Sequence, residues 1–188
     1  ALTIAASLSY RSPFLSPFNK RDEAMKKKLA FAIRNSDHLT IWNAYSSWSK
    51  ACSSNGRQAG YNFAQEHFLS YKTLQMLVSM KHQFAELLSS IGFLEEGITI
   101  RRLERSARNG SDGIEAITGP TINANCGNHK LIVSVLCASL YPNVVQILRP
   151  EAKYKQTATG AMYKPPAAED LKFKTKQEGY VDVHPSSV

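Results

Sequence analysis

The residues of this chain whose types and spacing could do chemistry are mostly cations. Lys81 falls seven positions after Leu74 and three before Phe84, within the stripe Leu74, Leu77, Val78, Phe84, Leu87, Leu88 and Ile91 that helical spacing gathers on one face. A cation there must snorkel, meet a carboxylate such as Glu86, or project into a groove that holds an anion. Leu171-Lys172-Phe173-Lys174-Thr175-Lys176 alternates strictly, so as a strand it puts three lysines on one face. Gln177-Glu178-Gly179 can turn it into Tyr180–His184, giving a hairpin with one basic face. Arg101, Arg102, Arg105 and Arg108 crowd a short polar segment, where they either touch a polyanion or are simply solvated.

Groups for covalent or hydrolytic chemistry are missing. A phosphate loop needs a glycine-rich turn ending in Gly-Lys-Ser/Thr; the nearest fragment, Gly127-Asn128-His129-Lys130, lacks the first glycine and a preceding strand. Asp22-Glu23-Ala24 sits in a helical stretch between basic residues, not at the end of a buried strand. No His-Glu-x-x-His or Gly-x-Ser-x-Gly pattern occurs. Glu95 and Glu96 are adjacent and point apart, and Cys52, Cys126 and Cys137 have neither metal-ligand spacing nor an even count. The expectation is a chain with no catalytic residue, no metal site and no cofactor of its own.

Composition points the same way. The 188 residues carry 23 Lys+Arg against 15 Asp+Glu, a net charge of +8, which suits a polyanionic partner. At 43% hydrophobic and 20% charged, the chain can bury a core. No apolar run approaches the ~20 residues of a membrane span. The unpatterned cysteines fit a reducing, intracellular compartment, cytoplasmic or nuclear. Ala1 is not a Met and the C-terminus follows a strand-like segment, so a piece of a larger protein is expected.

The elements that must position the lysines follow from periodicity and punctuation. Helices are expected over 1–9, 21–34 (with Met25, Leu29 and Ile33 inward), 37–53, 58–67, 70–92 and 129–140. Ser36 or Asp37 caps the third, whose stripe Ile41, Trp42, Tyr45, Trp48 and Cys52 reads as core packing, and Asn55-Gly56 ends it. Lys26-Lys27-Lys28 reads as a solvated face. Residues 95–128, rich in Gly and Asn, read as a mobile insertion or linker. Leu131–Leu140 is apolar nearly all round and is expected to be buried. Strands are expected near 144–148, 171–176 and 180–184, with short turn-rich pieces from Tyr154 to Tyr163 and a break at Pro165-Pro166. The organisation is helical to about residue 141 and β-rich over 142–188.

In this order the residues resemble a known family. Ser12-Pro13-Phe14, Asp37-His38-Leu39-Thr40, Asn43-Ala44-Tyr45 before Trp48, Asn62-Phe63, and Phe68-Leu69-Ser70-Tyr71-Lys72-Thr73-Leu74 are similar to the C-terminal region of DEAH/DExH-box RNA helicases. So are Gln83-Phe84, Leu87-Leu88, Gly92-Phe93, Leu136-Cys137-Ala138, Leu140-Tyr141-Pro142-Asn143-Val144 and His184-Pro185-Ser186-Ser187. The resemblance spans the chain and looks closest to the eukaryotic branch that includes RNA helicase A. It departs at Lys72 and Lys81, where relatives carry Arg, and at the 95–128 insertion, which shorter members lack.

The resemblance implies a mainly α, ratchet-like helicase-associated bundle over 1–141 and the start of an OB-like domain over 142–188. It implies an accessory region that lines a single-stranded RNA tunnel without reading sequence, with Lys72, Lys81, Lys172 and Lys174 as contact residues. ATP and magnesium would belong to two RecA-like domains outside this chain. These domains, a winged-helix domain and activator proteins on the OB-like surface are the implied protein partners. The competing reading is a helical protein-interaction module that docks helicase partners and touches no RNA.

Overall fold

The computed structural model describes residues 1–107, 113–148, 150, 153–157, 160–164 and 170–188. Two compact units result, one of residues 1–129 with Val188 and one of residues 130–187. Arg108, Gly110, Pro165 and Pro166 lie outside the described residues.

The first unit is built of helices α1 (Leu2–Leu8), α2 (Arg21–Ala30), α3 (Asp37–Glu66), α4 (Tyr71–Ser90), α5 (Ile100–Ser106) and α6 (Ile114–Thr118). Ser36 caps α3 by accepting from Leu39 N, and Ser70 caps α4 by accepting from Thr73 N. Within α3 the chain breaks at Gly56, whose φ of 81° and ψ of 177° belong to no helix. That break is the one Asn55-Gly56 announces, and it brings Gly60 back against Trp48 and Cys52. Tyr45, Trp48, Cys52, Leu74 and Leu77 form the core with Phe31, Leu69 and Ala64, so the aromatic stripe of α3 is packing. The Ser12-Pro13-Phe14 turn pairs with the loop before α4: Leu15 N donates to Phe68 O and Ser70 N to Pro13 O.

Four expectations for this unit are corrected. α2 stops at Ala30 and buries Ala24, while Leu29 is exposed; the buried aromatic comes from Phe31, just past the helix end. On α4 the buried face runs through Leu74, Leu77, Lys81, Ala85 and Ser89, and Leu87 and Ile91 face solvent. Small residues, not the large ones, let the second half of α4 pack closely. Residues 95–106 are no loose linker. Ile98 and Leu103 pack on Ala85, Ser89 Oγ donates to Glu95 O, and Ile100 N donates to Glu86 Oε1. The lysine triplet is less solvated than expected, since Lys27 pairs with Glu66 at 3.3 Å and Lys28 with Asp37 at 2.9 Å.

The second unit begins within helix α7 (His129–Leu140) and carries strands β1 (Gln146–Leu148), β2 (Lys153–Thr157), β3 (Gly160–Lys164), β4 (Lys172–Thr175) and β5 (Gly179–Val181). β1, β4 and β5 form an antiparallel sheet in the order β1-β4-β5, and β2 and β3 form a separate hairpin. That hairpin corrects the turn-rich reading of 154–163: Tyr154 stands opposite Tyr163, with ring centroids 6.0 Å apart. α7 is a helix as expected, but none of its residues is buried, and Leu131, Val133 and Val135 are exposed.

Candidate nucleic-acid interface

The hairpin of β4 and β5 gives the clearest basic surface. Gly179, at φ 80°, closes the turn and sets the register Thr175↔Gly179, Lys174↔Tyr180 and Phe173↔Val181. On the other side β1 places Leu148 opposite Lys172 and Gln146 opposite Lys174. Period-two alternation therefore puts Lys172, Lys174, Gln146, Leu148 and Tyr180 on one face, and Phe173, Ile147 and Val181 on the other. Both lysines are exposed, about 6.7 Å apart along the strand. Lys174 Nζ lies 5.9 Å from the centroid of the Tyr180 ring, which is itself largely exposed. A pair of ammonium groups beside an open aromatic ring can hold phosphates and stack a base. Lys176 lies in the turn, so two of the three alternating lysines share the strand face. Sequence reasoning overlooked Tyr180 as a site residue; the turn at Gly179 was the signal that sets it across from Lys174.

On the helical unit Lys72 occupies the first turn of α4 and is exposed. It forms no ion pair among the described residues. The neighbouring Tyr71 is half-buried and meets Tyr61 edge-on, with centroids 5.5 Å apart.

Lys81 is placed differently from the groove edge expected of it. It is 8% exposed, its Nζ donates to Tyr45 Oη at 3.4 Å, and it sits 4.5 Å from the Tyr45 ring centroid. The Glu86 carboxylate instead accepts from Ile100 N. The partner came from α3 rather than from the same helix. Helical spacing on α4 alone carries no information about that cross-helix contact.

Among the described residues no group of three or more His, Cys, Asp or Glu side chains could hold a metal ion. None of their helices is long and apolar enough to cross a membrane. Cys52 is buried, and that burial pushes its thiol above the usual range, so it stays protonated and behaves as a small apolar group.

Comparisons with known proteins bear on the same segments. Residues 1–41 match the family described as helicase associated domain (HA2), ratchet-like. The chain is 50% identical to DHX57 of Homo sapiens over 162 residues, which is 86% of this chain and 12% of that protein. It is 39% identical over its whole length to the ATP-dependent DNA/RNA helicase DHX36 of Homo sapiens, covering 16% of it. It is 37% identical, again over its whole length, to the DExH-box ATP-dependent RNA helicase DExH1 of Arabidopsis thaliana, covering 15%. The chain thus spans less than a sixth of each of these relatives. A ratchet-like match at the start, a helical bundle followed by a small antiparallel sheet, and similarity along this chain to named helicases agree on one assignment: this chain belongs to the C-terminal, helicase-associated region of the DExH/DEAH-box RNA helicases.

Proposed function

We propose that this accessory region contacts single-stranded RNA in an ATP-dependent RNA helicase, lining the path of the strand and holding phosphates without reading base sequence. The observation that carries the reading is the face of β4, where Lys172 and Lys174 stand exposed and side by side with Tyr180. Lys72, exposed at the start of α4, is a further phosphate contact. Phosphate-directed cations position a strand but discriminate bases little. Lys81, enclosed against Tyr45, is assigned to the core of the region that presents these lysines.

The test is binding of a fluorescein-labelled dodecauridylate to the full chain as salt is varied. Each single-strand phosphate contact contributes about 0.7 to the slope of log K against log salt. The double variant Lys172→Ala/Lys174→Ala is expected to shallow the slope by about 1.4 and Lys72→Ala by about 0.7. Affinity and slope both unchanged in the double variant would sink the reading.

In this reading ATP and magnesium are handled by RecA-like domains of the parent protein, and this chain supplies no step of hydrolysis. The purified chain should therefore release no phosphate from ATP above a mock preparation, with or without RNA. Turnover that co-purifies with the chain through successive columns would contradict this.

A second reading, contact with neighbouring protein domains, is favoured by one specific feature. Leu87, Ile91 and Phe93 are 59%, 68% and 76% exposed at the end of α4, an apolar cluster that water covers poorly. In a complete helicase the RecA-like and winged-helix domains are the proposed cover. The two readings use different residues and are compatible.

A further inference from the structure

We propose that Arg102 and Arg105 form the charged wall of a pocket for phosphate groups, built by α5 and α6. A cavity of about 780 Å³, open to solvent, is lined by Gly97, Thr99, Arg102, Arg105, Ser106 and Ala116. Its position is fixed from below. Leu103 is fully buried against Ala85, Ile100 N is held by Glu86 Oε1 at 3.1 Å, and Thr99 Oγ1 accepts from Arg102 N at 3.3 Å. It is fixed from the side by Gly113 at φ +67°. A Cβ there would lie 2.6 Å from Leu103 O and 2.8 Å from Ala107 N, so α6 can approach this closely only with glycine. That approach makes Ala116 the opposite wall.

Arginines three residues apart share a helix face, so both guanidinium groups reach the same space. Each is steadied by one carbonyl: Arg102 Nη1 donates to Gly97 O and Arg105 Nε to Arg101 O, both at 3.3 Å. Among the described residues the remaining donors of both forks meet no acceptor, and no ion pair involves either arginine. Among the described residues no carboxylate lines the cavity, while the hydroxyls of Thr99 and Ser106 can both donate into it. Two forks and two hydroxyls offer more donors than a carboxylate's two oxygens can use. They match a tetrahedral anion with three or four acceptor oxygens. Among the described residues no aromatic ring lines the cavity, so they offer a base nothing to stack on. The ligand is therefore a phosphate group, from either a nucleic-acid strand or a free phosphate compound. This site does not depend on RNA contact at Lys72, Lys172 or Lys174.

The experiment follows the side-chain Nε–Hε signals of Arg102 and Arg105 by NMR in the full chain, titrated separately with inorganic phosphate, octauridylate and hexaglutamate. Both signals should move and saturate with inorganic phosphate. Arg102→Ala/Arg105→Ala should weaken that binding about tenfold or more, with the melting temperature unchanged. Arg102→Lys/Arg105→Lys should recover only part of it, since the planar forks are lost. Saturation by octauridylate at far lower concentration assigns the phosphate to a strand. A response to inorganic phosphate without one to octauridylate assigns it to a free compound. Signals that stay still with both phosphate probes, or that respond to hexaglutamate at lower concentration than to either, overturn the proposal.

Discussion

Replacing Gly60 with Ala is expected to lower the melting temperature of the chain by about 4–8 °C, although Gly60 lies inside a helix where Ala is the better helix former. The two effects have opposite signs. Helix propensity favours Ala by about 1 kcal/mol. Against it, a Cβ at position 60 would overlap Cys52 Sγ, with Trp48 Nε1 at 3.2 Å and Cys52 Cβ at 3.4 Å. Neither neighbour can swing into water, since Trp48 is 2% exposed and Cys52 is fully buried. Overpacking of this kind costs roughly 1–3 kcal/mol and occasionally more. An overlap as deep as that with the sulfur belongs at the upper end, so a net loss of about 2 kcal/mol remains, which corresponds to the stated shift. Thermal unfolding followed by circular dichroism checks it. Cys52→Ala removes the sulfur, so it should rescue Gly60→Ala while costing the parent chain only about 1 kcal/mol. A coupling of about 1–2 kcal/mol in that double-mutant cycle is the expected sign of direct contact. A Gly60→Ala chain as stable as the parent, or no rescue, would mean that the segment after Gly56 does not pack back onto Trp48 and Cys52.

Such contacts explain what was legible in the sequence and what was not. Local signals read well. Ser36 caps α3 because its hydroxyl takes an amide that nothing else can reach, and Gly56 breaks α3 because it alone adopts φ 81° there. The β4–β5 hairpin follows from strict alternation and a glycine turn, so the basic face holding Lys172 and Lys174 could be placed before any coordinates. What failed depended on partners distant in sequence. Leu87 and Ile91 look like core because they are apolar at helical spacing. Yet the face of α4 that meets α3 and α5 is the one with Ala85 and Ser89, where backbones come close. Residues 95–106 look like linker because Arg crowds them and a Gly- and Asn-rich stretch follows, but two apolar side chains, Ile98 and Leu103, suffice to seat them. The Tyr154–Tyr163 hairpin lacks both strict alternation and an Asn-Gly or Asp-Gly turn, the two signals that would mark it. α7 satisfies every sequence criterion for a buried helix and remains exposed, because hydrophobicity states a need for cover without supplying it.

Lys81 is where sequence and structure part furthest, and its replacement discriminates between two roles. Lys81→Ala is expected to lower the melting temperature by about 5–10 °C and to leave the affinity and salt slope for single-stranded RNA unchanged. The ammonium group lies 4.5 Å from the Tyr45 ring centroid and 3.4 Å from its hydroxyl, within the core between α3 and α4. A desolvated cation–π contact is worth about 2 kcal/mol, but burial of the ammonium costs a similar amount. The hydrogen bond, at the long end of its range, adds little, so the loss falls mainly on packing. Alanine also deletes the four-carbon stem that fills space beside Tyr45, and the surrounding helices can close that gap only in part. Together these losses come to about 2–3 kcal/mol. Lys81→Met separates them, because it keeps the stem and removes the charge. The charge carries a desolvation cost that largely offsets its attraction to the ring, so Lys81→Met should lie within about 1 kcal/mol of the parent chain. Loss of stability in Ala but not in Met would locate the contribution of Lys81 in packing. The opposite pattern has a clear signature: Lys81→Ala with an unchanged melting temperature, weakened dodecauridylate binding and a salt slope shallower by about 0.7. That result would mean that the ammonium leaves Tyr45 to meet a phosphate, and it would return Lys81 to the interface from which its burial removes it.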